Sequence, residues 1–276
     1  MNRELVARAQ IMAGTEAGIN FWSREVFEHG GDKVLERCQS NFYKDKDVRP
    51  ILEANGEAEL ERIEKLGFKF ILPNKKFDEL PAPPIGLIAK GNLELLDKDD
   101  SLAIVGTRNP TQYGVRVAGD LAANFADRDF VIVSGGAYGI DAAAHKGALI
   151  AEGETIAVLA CGLDIIYPAG HEKLFAEIAE SGLLISEYLP KQKAFPYRFL
   201  NRNRLIAALS KGTIVVEAAF RSGALRTAYD AQGLNRRVMA IPGPITSPLS
   251  EGCHRLIGEH AAAICTSVND ALELMR

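Results

Sequence analysis

No apolar run in this chain approaches the about 18 residues that a membrane helix needs, and the charged start Met1-Asn2-Arg3-Glu4 is not a secretion signal. Both absences lead us to expect a cytoplasmic protein with no membrane partner. Cysteine is sparse. Cys38, Cys161, Cys253 and Cys265 stand far apart without a C-x-x-C pair, which argues against a disulfide framework and against zinc. His254 and His260 near Cys253 match no common ligand spacing, so no metal is expected. The nucleotide signatures are missing as well. The chain has neither G-x-G-x-x-G followed by an acidic residue about twenty positions on nor the Gly-Lys-Ser/Thr of a P-loop, so no cofactor is expected.

What is present is an ordinary globular composition, 47% hydrophobic and 25% charged over 276 residues, enough to bury a proper core. The net charge of −4 conceals an asymmetry. Between Lys191 and Arg237 ten Lys/Arg face only two acids, Glu217 and Asp230. A basic segment on an otherwise acidic protein suits a polyanionic partner.

The first residues carry helical patterning without glycine-rich corners, and near residue 64 the texture changes to short apolar runs around a proline-rich stretch, Pro81 to Pro84. A small N-terminal helical appendage, 1–63, and a larger domain, 64–276, follow. After Ser101 strands and amphipathic helices alternate. Strands are expected at Leu102–Val105, Phe130–Val133, Thr155–Ala160, Leu183–Ser186, Thr213–Glu217 and Arg237–Ile241. The intervening helices are expected at Gly114–Arg128, Ile140–Glu152, Glu172–Ser181, Phe199–Ser210 and Ala224–Leu234, with one more near Glu251–Glu259. This alternation predicts an α/β fold, an extended Rossmann-like, doubly wound parallel sheet.

In such a sheet the ligand crevice lies beyond the carboxyl ends of the strands. Those ends carry Gly106-Thr107-Arg108, Ser134-Gly135-Gly136, Glu217 and Arg221-Ser222-Gly223, with Arg226 and Thr227 just behind. Small residues, hydroxyls and guanidinium groups together make a phosphate-binding composition. In "SGGAYGIDAAAH" a glycine corner leads through Gly139 into a helix, whose free N–H groups and positive dipole end suit an anion. The plainer reading is that these glycines only bring a helix close to a strand.

"KQKAFPYRFLNRNRLIAALS" interleaves Phe195 and Tyr197 with Lys193, Arg198, Arg202 and Arg204, as single-stranded nucleic acid would require of a stacking surface. Phe195 suits base stacking and loop anchoring equally. Helical spacing puts Arg198 and Arg202 on one side, and Phe199, Asn203 and Ile206 on a second, packed one. Ser134, Asp141 and His145 superficially suggest a hydrolytic set, but a first-turn aspartate is favoured by the helix dipole in any case. Glu217 could act as an acid or base on a nucleotide, or order Arg221 and Arg226 through ion pairs.

Six ordered segments, "IVGTRNPTQYG", "SGGAYGIDAAAH", "LACGLDIIYP", "FPYRFLNRNRLIAALS", "VVEAAFRSGALRTAYDA" and "IPGPITSPLSEGCHRLIGEHA", resemble the successive motifs of the DNA-processing A family, also called Smf. The resemblance runs from about Phe68 to the C-terminus. It implies a Rossmann-like protein without established catalysis that binds single-stranded DNA, forms a homodimer and loads the RecA recombinase during natural transformation. By motif, Arg108 would contact DNA, Ser134, Gly135, Gly136 and Gly139 would form the phosphate loop, and Lys193, Arg202 and Arg204 would line the same positive pocket. Gly106, Phe195, Asn203, Arg221, Ser222, Gly223 and Thr227 complete the candidate DNA- or phosphate-binding set. The chain departs from the family in extra residues between Phe195-Pro196 and Arg202-Asn203-Arg204, and in ending after "VNDALELMR" without a winged-helix-like tail. A phosphoribohydrolase-like enzyme using the same crevice is the alternative, although its P-G-G-x-G-T-x-x-E pattern is not reproduced.

Overall fold

The computed structural model describes residues 2–276. Five helices come first: α1 (Arg3–Gly14), α2 (Asn20–His29), α3 (Gly31–Gln39), α4 (Arg49–Glu53) and α5 (Gly56–Lys65). They are followed by β1 (Lys69–Ile71) and β2 (Leu87–Gly91), then β3 (Ser101–Val105), α6 (Gln112–Ala126), β4 (Val131–Ser134), α7 (Ile140–Ile150) and β5 (Thr155–Leu159). Next come α8 (Glu172–Ser181), β6 (Leu183–Ser186), α9 (Pro196–Leu209), β7 (Gly212–Val215) and α10 (Gly223–Gly233). The chain continues through β8 (Arg237–Ala240), α11 (Glu251–Gly258), β9 (Ala263–Ile264) and α12 (Val268–Leu274). The strands form one sheet in the order β1-β2-β6-β5-β4-β3-β7-β8-β9, with β1 antiparallel to β2 and the β5-β4-β3-β7-β8-β9 run parallel. The expected α/β, Rossmann-like sheet is the observed one.

Contacts divide the chain into two units. The first gathers residues 1–90 with 159–165 and 185–201, so it takes in more than the N-terminal helices. Its core rests on buried Ile11, Val34, Ile51 and Ile63. Close helix packing there depends on glycine: a Cβ on Gly56 would sit 2.1 Å from the carbonyl oxygen of Val6 on α1.

The second unit holds 91–158, 166–184 and 202–276. All five residues of β3 are buried, as expected for a parallel strand covered on both faces. Leu102, Ile104, Ile132, Ile214 and Met239 of the strands pack with Leu121 and Phe125 of α6 and Ala144 and Ala148 of α7. Helices α6 and α7 approach so closely that a Cβ on Gly147 would lie 2.3 Å from the Gly119 carbonyl oxygen. The chain leaves β3 toward β4 on one side and returns to β7 on the other, so the winding reverses at β3. That reversal places the loops after β3 and β7 at the crevice.

The four cysteines are free and buried, and burial pushes the thiols of Cys38, Cys253 and Cys265 up to about 11, 12 and 11. Among the described residues no helix is long and apolar enough to cross a membrane, and no three His, Cys, Asp or Glu side chains converge as metal ligands would.

Candidate nucleic-acid interface

In the second unit the loops after β3 and β7 are joined directly. The Thr107 N–H donates to the Glu217 carbonyl at 2.7 Å, and the Glu217 carboxylate accepts from the Thr111 N–H at 2.9 Å and the Thr111 hydroxyl at 2.6 Å. Thr111 is the N-cap of α6. Glu217 is therefore committed to holding the start of that helix against the sheet rather than to acid/base work. It does not order the arginines as expected either, since Arg226 pairs with Asp230 on its own helix at 2.8 Å.

The loops leave Arg108 and Arg221 exposed, with Gly223 exposed and Gly106 and Ser222 half-buried. Ser222 caps α10 through the Ala224 N–H, whereas Thr227 is buried in that helix. The arrangement offers two guanidinium groups beside open backbone at the switch point, chemistry suited to phosphate oxygens.

The glycine corner after β4 is already occupied, by a carboxyl group of the protein itself. The N–H groups of Gly135 and Ala137 donate to Asp141 Oδ2 at 3.1 and 3.3 Å. Burial raises the Asp141 pKa, while the Arg202 charge and these backbone hydrogen bonds oppose the rise. Arg202 itself is 3% exposed, and its guanidinium lies so close that a Cβ on Gly135 would meet Nη1 at 1.6 Å. Ser134 donates its hydroxyl to the Ile104 carbonyl at 2.7 Å and is buried. Gly136 is also buried, and its carbonyl accepts from His171 Nδ1 at 3.0 Å. Gly139 adopts φ +82°, and a Cβ there would sit 2.4 Å from the Thr107 carbonyl oxygen, so only glycine fits between the two loops.

These contacts correct several expectations. Arg202 and Arg204, expected to line the positive pocket, are buried, as is Asn203, whose amide donates to the Gly223 carbonyl at 3.1 Å. Arg198 is buried too, so the arginine side of α9 is packed along with the side that carries Asn203 and Ile206. The hydrolytic set is not assembled either. Ser134 points at β3, while His145 Nδ1 donates to the Thr155 hydroxyl at 2.7 Å, the arrangement required because that hydroxyl itself donates to the Ile132 carbonyl. Burial, with His171 and Arg202 nearby, drives the His145 pKa down to about 3, so the ring is neutral. The basic segment is also split along the sheet. Lys211 and Arg237 stand at the amino ends of β7 and β8, and Lys211 pairs with Asp100, whereas Arg221 stands at the carboxyl end of β7.

The first unit carries the other candidates. Lys191 and Lys193 are exposed on the loop before α9. Phe195 and Tyr197 are 45% and 46% exposed, and their rings are parallel within 6° with centroids 5.9 Å apart. The sequence pointed to Lys193, Phe195 and Tyr197; the parallel arrangement of the two rings is what the structure adds.

The fold and these surfaces define a Rossmann-like α/β protein whose switch-point crevice presents guanidinium groups and open backbone. The DNA recombination-mediator protein A model matches residues 72–276, and the chain belongs to that family. A DNA processing protein DprA of Mycobacterium tuberculosis is 54% identical over 173 residues, covering 63% of this chain and 44% of that protein. The chain thus spans less than half the length of this curated relative. DprA from Streptococcus pneumoniae superposes with a TM-score of 0.73 at 33% identity, covering 98% of this chain and 94% of that one. DNA processing protein A from Helicobacter pylori, whose structure describes a single-stranded DNA binding mode, gives 0.70 at 35% identity over 75% of this chain and 94% of its own.

Proposed function

We propose that this chain is a cytoplasmic single-stranded DNA-binding protein that acts as a homodimer and delivers DNA to a RecA-type recombinase, with no reaction of its own. The observation that carries the DNA part is the exposed, parallel Phe195–Tyr197 pair beside Lys191 and Lys193. Unpaired bases offer π-faces to such rings, whereas in duplex those faces are already covered. Arg108 and Arg221 at the β3/β7 switch point supply phosphate contacts in the other unit. Family membership supports the recombination role, and the single-stranded binding mode of the Helicobacter pylori relative supports the choice of strand.

The test is affinity for oligo-dT against a duplex of equal length at fixed salt. The wild type should prefer the single strand, and Phe195→Ala/Tyr197→Ala should weaken that binding by at least about fivefold, since stacking on one ring is worth about 1–3 kcal/mol per base. Equal affinity for the two forms would refute the reading.

A further inference from the structure

Helix α9 starts at Pro196, and its first turn carries Arg198, a guanidinium buried beneath the exposed ring pair. Its carbon lies 4.5 Å from the Tyr188 ring centroid, 5.2 Å from that of Phe195 and 5.9 Å from that of Tyr197. Nη1 donates to the Lys193 carbonyl at 2.8 Å. One cation therefore touches both exposed rings and the backbone of the lysine that flanks them. A buried guanidinium holds its place only with an anionic partner. That partner is Glu16, in the turn between α1 and α2, whose Oε2 accepts from Arg198 Nη2 at 2.7 Å. The same turn makes a second contact with the start of α9, where Asn201 donates to the Ala17 carbonyl at 3.4 Å and packs against Gly18.

We infer that Glu16 is a positioning residue for nucleic-acid binding: through Arg198 it fixes Lys193, Phe195 and Tyr197 in the arrangement that receives the bases. This gives the N-terminal helical region a part in DNA binding without any contact to DNA, and it rests on the reading proposed above. Rings and a loop already ordered in the free protein lose less freedom when a strand arrives. The sign of the effect separates this role from simple electrostatics. A carboxylate near a DNA surface repels phosphate, so neutralising it would on charge alone tighten binding. Positioning requires the opposite.

The experiment measures oligo-dT affinity of the full chain across a salt series for the wild type, Glu16→Gln, Phe195→Ala/Tyr197→Ala, and the three changes combined. Glu16→Gln should weaken binding by roughly 3- to 10-fold, as ordering the loop is returned to the binding step. The slope of log affinity against log salt should stay unchanged, because no phosphate contact is lost. In the Phe195→Ala/Tyr197→Ala background Glu16→Gln should have a clearly smaller further effect, only the part that acts through Lys193, an outcome that a general loss of stability would not produce. Unchanged or tighter binding by Glu16→Gln, with the ring variant still impaired, overturns the inference and leaves the proposed function standing. A ring variant that binds like wild type overturns both. Should Glu16→Gln fold poorly, Glu16→Asp, which keeps the charge but shortens its reach, must show the same loss and the same dependence on the rings for the inference to stand.

Discussion

Replacing Arg202 with alanine should strongly destabilise this protein rather than merely weaken its hold on DNA. The guanidinium is 3% exposed, lies against Gly135 and opposes the burial penalty on Asp141, whose carboxylate also collects the Gly135 and Ala137 N–H groups. Arg202→Ala leaves that carboxylate buried without its countercharge and opens a void where the side chain was. Breaking a buried charged arrangement from one side typically costs about 3–5 kcal/mol. Against a total stability of about 5–15 kcal/mol that is a large share. With the urea dependence of about 1–3 kcal/mol per molar found for small proteins, the unfolding midpoint should fall by about 1 M or more. The companion measurement is the salt dependence of oligo-dT binding by whatever fraction stays folded. If Arg202 instead contacts phosphate, Arg202→Ala would keep the wild-type urea midpoint and make the salt slope shallower by about 0.7, the value for one phosphate on a single strand. That pair of results would refute the structural assignment of Arg202.

The exposed cations should behave in the opposite way: Arg108→Ala and Lys193→Ala should each reduce the salt slope by about 0.7 while leaving thermal unfolding unchanged. With Arg108, Lys191, Lys193 and Arg221 as the exposed cations beside the candidate surfaces, the wild-type slope should be about −3, and a slope near zero would remove phosphate contacts from the account. His145 is neutral when folded, with a pKa of about 3 against an ordinary 6.5, so the stability it contributes is present above pH 6.5 and is lost as pH falls toward 3. Between pH 7.5 and pH 5 the wild type should lose about 2 kcal/mol from this group, and in urea titrations the loss should be smaller by that amount in His145→Gln. Glu217→Gln should lower stability by about 1–3 kcal/mol through its bonds to Thr111. It should leave oligo-dT affinity within a few fold, and base release or phosphate hydrolysis by the purified protein that disappears in this variant would establish the enzymatic alternative instead.

The strand and helix alternation was legible in the sequence because a four- or five-residue apolar run between amphipathic segments has few ways to be covered other than as a strand in a parallel sheet. Thus β3, β4, β5, β7 and β8 fall within a residue or two of expectation. Local chemistry moved the helix ends. Helix α6 begins two residues before the expected Gly114 because Thr111 caps it through the Gly114 N–H, and α9 begins at Pro196 because proline is tolerated in a first turn. The two-residue strand β9 carried no periodic signal to read. The family motifs were legible too, and so was Gly139, whose backbone conformation no other residue adopts easily. Side-chain accessibility was not. Sequence showed ten cations in one segment and a glycine corner built for an anion, but the distribution of charge between surface and interior depends on partners far along the chain. Only the tertiary structure brought Asp141 into the corner, laid Arg202 against Gly135, buried Arg198 against Glu16 and left Lys193, Phe195, Arg108 and Arg221 at the surface. A buried charge is stable only opposite another charge or a set of hydrogen bonds, and that pairing is fixed by folding rather than by spacing along the chain.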